Sequence, residues 1–174
     1  MRRILLTCTL AFTLLPVFGG EGKAPPMDKE KSLLIDYVDP FIGTTNFGTT
    51  NPGAVCPNGM MSVVPFNVMG SADNTYDKDA RWWSTPYEYT NCFFTGYSHV
   101  NLSGVGCPEL GSLLLMPTTG ELNVDYKEYG SKYKDEQASP GYYSNYLTKY
   151  NIKTEVSATP RTGIARFTFP KGKS

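Results

Sequence analysis

Three stretches of the chain combine Gly, Pro, Asn and aromatic residues without being polar linkers, and chemistry is expected there. The first runs from Tyr37 to Gly59 (YVDPFIGTTNFGTTNPGAVCPNG), the second is Arg81-Trp82-Trp83-Ser84, and the third runs from Gly96 to Gly111 (GYSHVNLSGVGCPELG). Glycines let a backbone come close to a ligand, while Trp and Tyr offer flat faces to the apolar side of a sugar ring. His99, the only histidine, is read either as a partner for sugar hydroxyls or as a satisfied structural residue. Trp82 and Trp83 cannot both point inward on a strand, so one is expected in the core and the other along a substrate cleft. Glu109 is read either as a pocket carboxylate or as an anchor for backbone amides beside Pro108. Gly48, Gly53, Gly104 and Gly106 are read as turn glycines before direct ligands.

The acids do not form a catalytic pair or a metal cage. Asp73, Asp77 and Asp79 are the only local group, and they lack the Gly and terminal Glu of a calcium loop, so a solvated loop is the reading. With one histidine and no Cys-x-x-Cys spacing, a zinc site is not expected. Sixteen basic and sixteen acidic residues cancel, and no Lys/Arg stripe is present, which argues against a nucleic-acid partner.

The elements that must position these loops read as strands. Even positions from Tyr146 to Ala158 form one face (Tyr146, Thr148, Tyr150, Ile152, Thr154, Val156, Ala158), opposite a polar face on which Leu147 is the exception. Glu121 to Tyr126 alternates through Leu122, Val124 and Tyr126, and Ala165, Phe167 and Phe169 alternate in a last strand before Pro170. Leu113 to Met116 is a continuous apolar run ended by Pro117, as in a strand buried on both faces. No window gives a convincing amphipathic helix. The fold class is all-β, an antiparallel β-sandwich, with its last strand either closing the sheet or left as an unpaired edge.

The N-terminus reads as an export signal. Arg2 and Arg3 precede the apolar run Ile4 to Phe18, which is shorter than a membrane span of about twenty residues. Residues 1–20 are therefore assigned to a signal peptide cleaved near Gly20 or Gly22, and residues 21–32 to a polar linker. The mature chain is expected to be periplasmic or secreted, with no membrane attachment. Its cysteines, Cys56, Cys92 and Cys107, allow one internal disulfide at most.

Tyr37-Val38-Asp39-Pro40-Phe41-Ile42-Gly43-Thr44, Asn51-Pro52-Gly53-Ala54 and Pro57-Asn58-Gly59-Met60 resemble the opening of glycoside hydrolase family 92. Gly96 to Pro117 (GYSHVNLSGVGCPELGSLLLMP) is similar to that family's G-(F/Y)-S-H-x-x-L-S-G-x-G-C-x-(D/E)-L-G segment. Thr159 to Gly163 and Arg166 to Pro170 fall where the family has a similar strand pair, so the resemblance covers about Leu33 to Pro170. It implies a calcium-dependent exo-α-mannosidase that inverts the anomeric centre. It also implies a supersandwich-like N-terminal domain packed on an (α/α)6 catalytic barrel that this chain lacks.

Inversion needs two carboxyls about 6.5–9.5 Å apart to admit a water. The resemblance places that pair and the Ca2+ ligands chiefly in the barrel, so no catalytic or metal residue is assigned here. Residues 33–174 are then a partial sandwich, incomplete at its C-terminal end. Their role would be to lend loops to a pocket for a mannose-containing glycan and to pack on the barrel. The substrate-binding residues carried over are Thr49, Thr50, Asn51, Trp82, Trp83, Tyr97, Ser98, His99 and Glu109. Many family members have Gly-His-Thr before the Pro-Gly-Ala, whereas this chain has Gly48-Thr49-Thr50-Asn51 and offers hydroxyls there. The alternatives are a stand-alone carbohydrate-binding module and a truncated product with no function of its own.

Overall fold

A computed structural model describes residues 33–45, 48–68, 85–104 and 111–172. The assigned signal peptide and linker, Asp73, Asp77, Asp79, Trp82, Trp83, Gly106, Cys107 and Glu109 lie outside the described residues.

The chain is an all-β antiparallel sandwich of two sheets. One has the order β1-β2-β4-β5, built from Ala54–Val55, Ser62–Phe66, Gly96–His99 and Leu114–Leu115. The other has the order β3-β6-β7-β8-β9, built from Phe93–Phe94, Ser131–Ser139, Tyr142–Leu147, Ile152–Ala158 and Gly163–Thr168. The helical elements among the described residues are a 3-10 turn at Leu34–Tyr37 and one α turn, α1, at Tyr126–Tyr129. None of them is long and apolar enough to cross a membrane.

Between the sheets lie Ala54, Val63, Phe94, Tyr97, Tyr143, Leu147, Ile152 and Val156, all essentially inaccessible to water. Alternation along each strand sets which residues face inward. Val63 pairs with His99 and Pro65 with Tyr97 on the inward side of the first sheet, so Val64 and Ser98, also paired, turn outward. The chain changes sheets between β3 and β4 at Thr95, whose backbone N–H and hydroxyl both donate to Phe66 O. The next residue, Gly96, has φ +147°, and a Cβ there would lie 3.0 Å from Leu114 and 3.1 Å from Leu115 O. Only glycine allows that backbone and that contact together.

Three strand expectations need correction. The alternation from Tyr146 to Ala158 is not one strand: residues 148–151 form a hairpin turn, with Asn151 at φ +55°, and Leu147 pairs with Ile152 across it. In β7 the odd residues Tyr143, Asn145 and Leu147 are buried, and in β8 the even ones are. Leu147, the odd residue out in the sequence pattern, is where the chain folds back. Residues 121–125 form no strand, and Leu122 and Val124 are 85 % and 84 % exposed. Side-chain turn bonds take over there. Asn123 accepts from the Asp125 amide, and Asp125 caps the short α1 by accepting from the Lys127 amide. Leu114–Leu115 is a strand, but Leu113, Leu114 and Leu115 are all exposed, because β5 is the edge of its sheet and no described element covers it.

Candidate functional site

The first loop cluster is pinned to the outward face of the β1-β2-β4 sheet. Thr50 donates its hydroxyl to Ile42 O (2.8 Å), and the Asn51 side-chain oxygen accepts from the Gly53 amide (3.2 Å), closing a local turn. Gly53 lies so close to β2 that a Cβ would sit 2.6 Å from Val64 Cγ2 and 2.8 Å from Val63 O. Two other segments meet this loop. The Gly104 amide donates to Thr49 O (2.8 Å), and the Thr85 hydroxyl donates to Thr50 O (3.2 Å). The middle of the third sequence cluster, at Gly104, and the residue following the second are thus both bonded to the first. Among the described residues, the Thr49 hydroxyl and the Asn51 side-chain NH2 are left without a hydrogen-bond partner. They are a donor-acceptor and a donor suited to sugar hydroxyls.

The Gly96–His99 motif divides across its strand. Tyr97 is fully buried, stacks edge-on against Phe94 (5.0 Å between centroids) and Tyr143 (6.0 Å), and bonds Thr154 through its hydroxyl (2.5 Å). It is a core residue with no atom to offer a ligand, which corrects its assignment to the substrate. Ser98 turns outward but is 3 % exposed and engaged with the Asn101 side chain (2.7 Å). His99 is on the other side of the strand, with Cδ2 3.7 Å from where a Cβ of Gly163 would be. Its Nδ1 donates to Leu113 O (3.1 Å), so the ring steadies the edge strand, and Nε2 has no hydrogen-bond partner among the described residues. The structure therefore brings Thr49, Thr50 and Asn51 together with Thr85 and Gly104, and separates Tyr97 and His99 from them.

A partly buried carboxylate escaped the sequence reading. The β6-β7 register shifts between Lys134 and Gln137, where Asp135 adopts φ +54°, and this bulge turns Glu136 inward. Its oxygens accept from the hydroxyls of Tyr87 (3.0 Å) and Tyr143 (2.5 Å). Burial pushes the Glu136 pKa up, while the Tyr143 and Tyr87 hydroxyls pull it the other way. Burial likewise pushes the Tyr87, Tyr97 and Tyr143 phenols well above their ordinary value. The signal in the sequence was parity: Tyr133 and Ala138 both pack on the core, yet one position is odd and the other even.

On the opposite face of the second sheet, Arg166 grips Glu155 with two N–H bonds (2.8 and 2.7 Å), and Tyr142 donates a third (2.9 Å). These bonds hold the Glu155 pKa at about 2. No three His, Cys, Asp or Glu side chains converge among the described residues, so these residues do not by themselves fit a calcium ion. Cys56 and Cys92 are free thiols.

Residues 37–174 match the Glycosyl hydrolase family 92 N-terminal domain. An uncharacterized secreted glycosidase of Arthroderma benhamiae is 30 % identical over 149 residues, covering 79 % of this chain and 17 % of that protein. A family GH92 α-mannosidase from Bacteroides thetaiotaomicron superimposes with a TM-score of 0.67 at 35 % identity, over 78 % of this chain and 18 % of that one. The same enzyme has been solved in complex with mannoimidazole. A family GH92 inverting mannosidase from that organism gives a TM-score of 0.59 at 25 % identity, over 80 % of this chain and 18 % of the enzyme. The chain thus spans less than a fifth of the length of these relatives.

Proposed function

The chain belongs to glycosyl hydrolase family 92, through its N-terminal domain, and from that premise we propose that it is the first part of an exported, calcium-dependent exo-α-mannosidase acting with inversion on mannose-containing glycans. The observation that carries the reading is the loop at Thr49–Asn51. Two segments distant in sequence, at Thr85 and Gly104, and the nearer Ile42 carbonyl hold it in place, and it presents a hydroxyl and an amide NH2 that no described residue engages. Such a loop can bind and orient a sugar without doing bond-breaking chemistry. Its rigidity means that little freedom is lost on binding. The mannoimidazole complex of the similar Bacteroides enzyme supports a mannose-shaped ligand.

In this proposal the general acid, the general base and the Ca2+ ligands come from outside the described residues, from the catalytic barrel on which the domain packs. Inversion needs two separated carboxyls and a water between them, and in this reading that pair belongs to the barrel. The chain alone then releases no mannose.

The first test is the intact mass of the native protein at its source. A mass several times 19.2 kDa, with mannose release that stops on chelation, supports the proposal. A species at or slightly below that mass which binds mannosides by itself would replace it with a stand-alone carbohydrate-binding module. In the long form, Thr49→Val and Asn51→Ala should each lower kcat/KM for an aryl α-mannoside about tenfold, the effect of one lost hydrogen bond.

A further inference from the structure

We infer that Glu136 is a positioning residue for the Thr49–Asn51 loop, acting through Tyr87 and Thr85; this rests on the pocket reading above. The path is continuous. Glu136 accepts from the Tyr87 hydroxyl, and the single Thr85 hydroxyl hydrogen is shared between Tyr87 O (3.1 Å) and Thr50 O (3.2 Å). Tyr87 is wholly buried, so its ring has one place to go, and its hydroxyl ends on the Glu136 carboxylate.

Segment 85–91 is held a second time by Asn67. The Asn67 amide donates to Pro86 O (3.0 Å), its side-chain NH2 donates to Glu88 O (2.9 Å), and its side-chain oxygen accepts from the Glu88 amide (2.8 Å). Asn67 fixes where the segment runs. Glu136 fixes how far Tyr87 reaches inward, and with it the height of Thr85 over Thr50.

The groups that face the carboxylate are Tyr87 from that segment and Tyr143 from β7. Tyr133 of its own strand and Tyr97 of β4 lie further off. No Lys or Arg pairs with it among the described residues. Its partners are therefore neutral hydroxyls, and hydrogen-bond geometry rather than charge does the positioning. An amide in the same place has a C=O to accept from one tyrosine and an NH2 to donate to the other.

The experiment is hydrogen exchange on the full chain, comparing wild type with Glu136→Gln and Glu136→Leu. Glu136→Gln should keep exchange at the Thr50, Tyr87 and Glu88 amides within about threefold of wild type. Glu136→Leu should speed it at least about tenfold there, with the amides of β8 and β9 unchanged. Protection kept in Glu136→Leu overturns the inference, as does loss spread over every strand or an equal loss in Glu136→Gln. In the long form, Glu136→Leu should also raise KM for an aryl α-mannoside several-fold while Glu136→Gln leaves it alone. If the loop loosens but KM is unmoved, Glu136 has no positioning role; if Thr49→Val also leaves KM unmoved, the pocket reading falls with it.

Discussion

Replacing Tyr97 by Phe separates a core residue from a sugar contact, because it deletes one oxygen and keeps the ring. Thr154 donates its hydrogen to the Asn145 side-chain oxygen (2.5 Å), so the Tyr97–Thr154 bond is donated by Tyr97. Losing it leaves Thr154 with its donor satisfied and one acceptor site empty. The cost is that of one ordinary buried hydrogen bond, about 1–1.5 kcal/mol. For a folded unit of this size that is a fall in Tm of about 3–5 °C. Tyr97→Ala removes a ring packed edge-on against Phe94 and Tyr143 and should cost about 3–5 kcal/mol. That is a large fraction of the about 5–15 kcal/mol by which a domain is commonly stable. Thermal and urea melts followed by circular dichroism read both effects, and mannoside titration of Tyr97→Phe should match wild type. A Tyr97→Phe variant as stable as its parent, or one that binds more weakly at unchanged stability, refutes the reasoning.

Gly53→Ala pushes a methyl into Val64 and into the backbone of β2, and should cost about 1–3 kcal/mol in a urea melt. Glu155 and Glu136 should give pH dependences of opposite sign. The Glu155 pKa is held at about 2, below its ordinary 4.5, so its stabilisation is present above pH 4.5 and lost as pH falls toward 2. Glu155→Gln should abolish that loss, and salt should shrink it because Arg166 is exposed. The Glu136 pKa is raised, so its contribution is full below pH 4.5 and is lost as pH rises through its folded value. Glu136→Gln should flatten that slope, as read by denaturation midpoints across pH 3–8. His99→Phe should loosen β5, with faster exchange at the Leu113–Leu115 amides, and leave mannoside binding within about twofold.

Period-two alternation found the strands because burial on one face demands it, and it failed where the backbone changes parity without changing composition. A four-residue turn at 148–151 and a bulge at Asp135 each flip the inward set, and neither contains the Gly or Pro that announces a break. Leu147 and the Tyr133/Ala138 pair recorded those flips as irregularities of the pattern. The run Leu113–Met116 showed that apolar content does not report burial at a sheet edge. The loops at Thr49–Asn51 stood out by composition, but which of their groups remained free depended on bonds to Ile42, Thr85 and Gly104, set by tertiary folding. The motif Tyr97-Ser98-His99 looked like one site because its residues are consecutive, and a strand sends consecutive residues to opposite sides.

Polar ties cross from one sheet to the other at separate points: Tyr97 to Thr154, Cys56 Sγ to Ala158 O (3.1 Å), and the Met60 and Met61 amides to Pro160 O (2.9 and 3.2 Å). Apolar side chains that slide past one another exchange one contact for another at small cost, because dispersion has little directional preference. A hydrogen bond weakens steeply once its angle is lost. Displacing one sheet along the other by a fraction of a residue would spoil all of these ties together while the aliphatic contacts re-formed. The sandwich is therefore stiffer against shear than its apolar packing alone would make it, and a loop riding on the first sheet keeps its alignment with whatever the second sheet carries.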